Sequence, residues 1–295
     1  MKILITGAKG QLGRDCAEVL ATEHTIYPIG SRELDISDRQ QVSEFLESIK
    51  PDTVINCAAY TAVDACEKNR EECRRVNAEG PGLIAAGSAA IGARIIHIST
   101  DYVFDGSKPV PQAYTEKDLV GPISEYGSSK LAGEENVRKK TDNYLIIRTA
   151  WLYGIGGGNF LKTMLRLALT NPQKTIRVVN DQFGSLTWTY SLARQIKTLL
   201  ESELTGTVHA TAEGYGSWYD GAKYFLECIN VPHLIEPCST LEYPTPARRP
   251  ANSILENSVL DKYGLNRMVD WKKDIESFVS RFRDELLAEA GAPDR

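Results

Sequence analysis

Thr100, Tyr126 and Lys130 are the side chains of this sequence whose types and spacing could move a proton. Thr100 ends an apolar run, and Tyr126-Gly127-Ser128-Ser129-Lys130 sets a phenol and an ammonium four residues apart. On a helix those two stand one above the other on a single face. A free phenol titrates near about 10, too high to make a good base and too high to protonate a ketone unaided. A neighbouring ammonium favours the phenolate, and so lowers that pKa toward the range of a working general acid or base. Thr100 would add a hydrogen bond to the same substrate oxygen. The Tyr-x-x-x-Lys spacing also occurs on ordinary amphipathic helices, so the elements around it must decide between the two readings.

The elements begin with Lys2 to Thr6, a buried strand by pattern, which leads into Gly7-Ala8-Lys9-Gly10-Gln11-Leu12-Gly13 and an amphipathic segment through Leu20. Strand, glycine-rich turn and helix in that order make a dinucleotide-binding arrangement. Gly7 permits the tight turn, Gly10 the approach of backbone to a pyrophosphate, and Gly13 the packing of helix on strand; the helix N-terminus faces negative charge. A second strand, Thr25 to Ile29, ends at Gly30-Ser31-Arg32-Glu33. A carboxylate there would bond a free ribose diol, whereas an arginine would accommodate a 2′-phosphate. Ser31 and Arg32 come first and tip the balance to NADPH, while Glu33 argues for NADH; Asp35 and Ile36 are better placed to meet the adenine ring.

Ser37 or Asp38 caps a helix running to Lys50, and Pro51 stops it. The strand Thr53 to Cys57 opens into Ala58-Ala59-Tyr60, where small side chains leave room for a cofactor. A helix rich in Ala and Gly follows Asn77 to about Ile91, and Arg94 to Ser99 is an apolar strand that delivers Thr100 to the same rim. Ligands of open parallel sheets bind at that rim, so topology gathers the glycine loop, Ala58, Ala59 and Thr100.

Tyr144 to Thr149 is a further strand, followed by Trp151, which could stack on a sugar or simply pack, and by the flexible Gly156-Gly157-Gly158. Helices are expected over Asn159 to Leu169, Tyr190 to about Leu200 and Ser217 to Ile229, with strands at Ile176 to Val179 and Thr207 to Ala210. Five prolines between Pro232 and Pro250 stiffen a stretch that carries Arg248 and Arg249, suited to clamp a diphosphate or a carboxylate, or else a solvated loop. Trp271 to Leu287 is a last amphipathic helix, and the tail to Arg295 is expected to fray. The pattern predicts an α/β fold: a doubly wound parallel sheet of Rossmann type over residues 1–150, with return segments from about 176–215, and a smaller C-terminal α/β substrate lobe, mainly 151–295.

The 295 residues carry a formal net charge of -5, which gives no sign of a nucleic-acid surface, although a local site can still hold phosphate. The first apolar run is too short for a signal peptide and no stretch is long enough to cross a bilayer, so a soluble cytoplasmic protein with no membrane partner is expected. The six cysteines lack C-x-x-C spacing and read as reduced thiols. The four histidines read as structural, and nothing points to a catalytic zinc.

Several segments together resemble the dTDP-4-dehydrorhamnose reductase family of extended short-chain dehydrogenases/reductases. They are Ile5-Thr6-Gly7-Ala8 with Gly10-Gln11-Leu12-Gly13, Ala59-Tyr60-Thr61-Ala62-Val63-Asp64, Ser99 to Gly106, Tyr126-Gly127-x-x-Lys130-Leu131-Ala132-Gly133-Glu134, Arg148 to Gly154, Asn180-Asp181-Gln182 with Gly184, and Ala247-Arg248-Arg249-Pro250. The resemblance covers nearly the whole chain, and Ser99 to Gly106 is its most specific part. It implies reduction of dTDP-4-dehydro-L-rhamnose to dTDP-L-rhamnose with NADPH or NADH, in the making of activated rhamnose for polysaccharide. Carried over by position, Tyr126 is the proton donor, Lys130 its electrostatic partner and ribose anchor, and Thr100 the hydroxyl that polarises the C4 carbonyl. Asp101 and Trp151, with Tyr102 and Arg249, make the expected substrate set. Gly10, Gln11, Leu12, Asp35, Ile36, Ala58, Ala59 and Tyr60 match the cofactor site.

The family commonly has Pro in the loop after Gly184, where this chain has Leu186, so a backbone constraint is lost. Some members bind magnesium at a dimer contact; no matching ligand set is visible, which leaves magnesium and a homodimer open. Two other readings share the resemblance. One is a nucleotide-sugar epimerase or another sugar reductase of the same fold, and the other a non-catalytic NADP-binding subunit like the regulatory subunit of methionine adenosyltransferase.

Overall fold

The computed structural model describes residues 1–291; the last helix runs on to Gly291, past its expected end at Leu287, and the rest of the tail that was expected to fray lies outside the described residues. Strands β1 (Lys2–Thr6), β2 (Thr25–Ile29), β3 (Thr53–Asn56), β4 (Arg94–Thr100) and β5 (Tyr144–Thr149) alternate with helices. The helices are α1 (Gln11–Leu20), α2 (Arg39–Ile49), α3 (Val63–Cys66), α4 (Arg70–Arg74), α5 (Gly80–Ala90) and α6 (Glu125–Arg138). The strands are Ile-, Leu- and Val-rich, and β3 is buried throughout, as a parallel strand covered on both faces must be. Of the two candidate caps for α2, Asp38 fills the role, accepting from the backbone N–H groups of Gln40 and Gln41. The helix expected after Asn77 starts earlier, because α4 runs through a π-helical turn (Arg75–Glu79) into α5.

Beyond β5 come β6 (Leu152–Tyr153), α7 (Phe160–Thr170), β7 (Ile176–Val179), β8 (Phe183–Gly184) and β9 (Thr187–Trp188). Helix α8 (Thr189–Leu200) and strand β10 (Gly206–His209) then return to the large sheet, before β11 (Gly216–Ser217), α9 (Trp218–Ile229), β12 (Ile235–Cys238), α10 (Ser258–Lys262) and α11 (Trp271–Gly291). The large sheet is parallel throughout, in the order β10-β5-β4-β3-β1-β2. Its order reverses between β1 and β3, the switch point where a doubly wound sheet opens a crevice beyond its strand ends.

Separate apolar clusters pack the two faces of this sheet, one under α1 and α8 and one under α2 and α5. A further cluster around Phe225, Phe278, Trp188 and Tyr153 joins α7, α9 and α11. The segment expected to return from residue 176 divides: α8 and β10 reach the large sheet, whereas β7 pairs in parallel with β12 beside α9. Strand β12 was hidden in the proline-rich stretch, since Pro237 cannot donate to a ladder and is tolerated on an edge strand such as this.

Candidate active site

The cofactor half is built by close backbone approach. Gly7 has φ +65, and a Cβ there would stand 2.6 Å from the backbone N of Ala58. At Gly13 it would stand 2.3 Å from the Gly7 carbonyl oxygen, so α1 lies against the turn as only glycine allows. No side chain caps α1 at Gly10, which leaves the first N–H groups of the helix for an anion. Gln11 reaches across the cleft: its Nε2 donates to the Gly158 carbonyl at 3.4 Å, and its Oε1 accepts from Asn159 at 3.0 Å. Leu12, Ser31, Asp35, Ile36, Ala58 and Ala59 line the same wall.

Arg32 and Tyr60 stand outside that wall. Arg32 is exposed beyond it. Tyr60 is tied instead through its backbone to the buried Asn77, whose side chain accepts from the Tyr60 N–H at 2.8 Å and donates to the Tyr60 carbonyl at 3.1 Å. Besides Lys9, the cation that faces the β2 end is Arg75, on the π-helical turn, bonded to Asp35 at 2.8 Å and to both oxygens of Glu72 at 2.8 Å. Burial works against the Asp35 carboxylate, but hydrogen bonds from Ser37 and Arg75 outweigh it and hold the pKa below the ordinary value. Glu33 folds back to Lys9 at 2.8 Å and to the Gly30 N–H at 3.0 Å. A shallow hollow of about 800 Å³ lies outside the Asp35–Arg75 pair, on polar groups of α2, away from the acid-base groups.

Thr100 is the last residue of β4 and caps the following 3-10 turn, Asp101–Val103, accepting from the Tyr102 N–H at 3.2 Å. Its hydroxyl donates to Asp101 Oδ1 at 2.9 Å. Ser124 caps α6, and Gly127 lets that helix dock on the turn, since a Cβ there would stand 2.2 Å from the Tyr102 carbonyl oxygen. This approach brings Tyr126 beside Thr100 and sets its ring edge-to-face with Tyr102, with centroids 5.5 Å apart. Lys130, one turn further on, is 2% exposed and donates to the Ile98 carbonyl at 2.6 Å.

The electrostatics differ from the expectation in one respect. Burial and the Asp101 carboxylate push the Tyr126 phenol above its ordinary pKa, where the ammonium was expected to lower it. Burial likewise pushes Lys130 down, to about 8. Asp101, 2% exposed, is raised to about 6 by burial. Desolvation thus outweighs the attraction that the spacing alone suggests.

On the opposite wall Arg249 is held by Asp64 through two hydrogen bonds of 3.2 and 3.1 Å, and Asp64 also accepts from the Ala247 N–H at 3.1 Å. Trp151 lies there in the left-handed region, with its indole stacked on that of Trp218. Leu186 lines the same wall, and its packing fills the space that Gly221 leaves on α9. Asp64, Arg75, Phe160 and Trp218 belong to the site or hold it, and the spacing did not single them out. The Asp64 carboxylate after an uncharged Thr61-Ala62-Val63 run, and the Trp218 just after a Gly-Ser pair, were the available signals.

These walls enclose one cleft of about 1060 Å³, lined by Gly7, Gly10, Gln11, Leu12, Gly13, Thr100, Asp101, Tyr102, Tyr126, Lys130, Trp151 and Arg249 among others. Among the described residues, no group of three or more His, Cys, Asp or Glu is arranged to hold a metal, and no helix is long and apolar enough to cross a membrane.

A doubly wound sheet, a glycine loop after its first strand and a Thr, Tyr and Lys set at the same rim define an oxidoreductase of the extended short-chain type, built for a nicotinamide dinucleotide. The chain belongs to the family described as RmlD substrate binding domain, which matches residues 1–284. It is 39% identical over 290 residues to a dTDP-4-dehydrorhamnose reductase of Burkholderia thailandensis, covering 92% of this chain and 96% of that one. A dTDP-4-dehydrorhamnose reductase structure from Clostridium acetobutylicum superposes with a TM-score of 0.93 at 41% identity, covering 96% of this chain and 100% of the other. One from Bacillus anthracis, solved in complex with NADP, gives 0.92 at 40% identity, covering 95% and 99%.

Proposed function

We propose that the chain binds NADPH, or NADH less favourably, in the glycine-loop half of the cleft and reduces the C4 ketone of dTDP-4-dehydro-L-rhamnose to dTDP-L-rhamnose. The names of its relatives and the NADP complex of one of them support this substrate and cofactor. The observation that carries the reading is the convergence of Thr100, Tyr126 and Lys130, from two elements, on the cleft that holds the glycine loop.

The dinucleotide, when bound, supplies the hydride. Gly7, Gly10 and Gly13 leave the room, and the uncapped start of α1 the N–H groups, that its pyrophosphate requires. Lys130 anchors the nicotinamide ribose, and Arg249, braced by Asp64, meets the diphosphate of the sugar nucleotide. The Thr100 hydroxyl turns from Asp101 to the ketone oxygen, and Tyr126 gives its proton to the alkoxide that develops there. Although burial makes the phenol a weaker acid, it is protonated at neutral pH and an alkoxide is more basic than a phenolate, so the transfer still runs downhill.

Replacing Tyr126→Phe tests the assignment. Turnover should fall by about 10²–10⁴-fold while NADPH affinity holds, because the ring stays and only the acid is lost. Ordinary turnover in that variant would remove Tyr126 from the acid role.

A further inference from the structure

Trp151 is a non-glycine residue with φ +48, a backbone region that persists only where the surroundings hold it. Its indole lies face to face with that of Trp218, with centroids 3.6 Å apart and planes 7° from parallel. Phe160 leans on the same Trp218 ring at 4.6 Å, and Gly184 closes an edge of Trp151, since a Cβ there would stand 2.6 Å from Cε2. Trp218 is the first residue of α9, whose start is fixed by a capping box between Ser217 and Asp220. One turn further on, Gly221 leaves the notch filled by Leu186, with its Cδ1 2.1 Å from where a Cβ would be. Trp151, Trp218, Phe160 and Leu186 all line the cleft that contains Thr100 and Tyr126.

We infer that Trp218 is a positioning residue for the reduction: by stacking on Trp151 it holds that strained residue as a fixed apolar wall against the sugar. One ring face of Trp151 is taken up by this stack, so the indole cannot swing without losing it. The apolar cluster around Phe225 and Phe278, through α9, thereby sets the shape of the sugar end of the cleft and leaves the dinucleotide end alone. The inference rests on the proposed reading that Trp151 borders the sugar.

The test compares Trp218→Ala, Trp218→Phe and Trp151→Ala in steady-state turnover of dTDP-4-dehydro-L-rhamnose with NADPH. A lost aromatic stack corresponds to about tenfold in affinity. Trp218→Ala should therefore raise the KM for the sugar nucleotide by about that factor, with the KM for NADPH unchanged, and Trp218→Phe should recover most of the loss. The wild-type protein should also show an exciton couplet from the stacked indoles in far-UV circular dichroism that either Trp→Ala variant abolishes. A sugar KM unchanged in Trp218→Ala, or equal losses for sugar and NADPH, would overturn the inference. If Trp218→Ala does not fold, Trp218→Leu, which keeps apolar volume without the ring, is judged by the same criteria. Should Trp151→Ala itself leave the sugar KM untouched, the reading of the sugar wall fails and the inference with it; a rise in Trp151→Ala alone would sink only the role of Trp218.

Discussion

Lys130 shows how burial changes what a residue type can do. The Tyr126 and Lys130 spacing was plain in the sequence, but the direction of their pKa shifts was not, because desolvation depends on what Ile98, Asp101 and α6 enclose. Burial pushes the Lys130 ammonium down to about 8 from 10.5. The unfolded chain keeps its proton across that interval, so there the contribution of this group to stability rises with pH. Catalysis should run the other way, since the ammonium proposed to anchor the ribose is lost. We expect kcat/KM to fall above pH about 8 while the urea midpoint shows no matching drop from this group. A pH-rate profile flat into the ordinary lysine range would contradict this.

Among the elements, the first β-α unit was readable in full, because its glycines are spaced by the contacts that they permit. Gly13 is the strictest, and Gly13→Ala would drive a methyl into the Gly7 carbonyl and the Ala8 backbone. Overpacking of this kind typically costs about 1–3 kcal/mol. The expected result is a lower urea midpoint together with weakened NADPH binding, measured by denaturation and by cofactor titration; a variant that binds NADPH normally would show that α1 need not lie so close. Other elements escaped the sequence for physical reasons. The π-helical turn that presents Arg75 interrupts the 3.6-residue period, and the short β12 carries Pro237 on an edge where few ladder bonds are needed. Trp218 was read only as the opening of a helix, since its partner Trp151 is distant in sequence.

At the scale of the molecule, a buried ionic knot ties the large sheet to α6. Glu134, fully buried, accepts from Arg148 at 2.8 and 2.7 Å, from Ser99 at 2.6 Å and from Arg138 at 2.7 Å. Burial opposes its ionisation, but these donors, Arg148 first, hold its pKa below the ordinary value. Glu134→Gln leaves the buried Arg148 without its anion, which costs about 3–5 kcal/mol. The urea midpoint should fall accordingly with an unchanged slope, and a loss below about 1 kcal/mol would show that the knot is relieved by water. The sequence offered Ser99, Glu134 and Arg148 as separate marks, and only the pairing of β4 with β5 beneath α6 brings them together. The same topology brings the glycine loop, Thr100 and Tyr126 to one rim, and the central claim is that this rim carries out a net reduction. The most direct measurement is the absorbance of NADPH during conversion of dTDP-4-dehydro-L-rhamnose, with the product identified. One NADPH should be oxidised for each dTDP-L-rhamnose formed; a sugar altered with no net consumption of NADPH, or no reaction at all, would contradict the account.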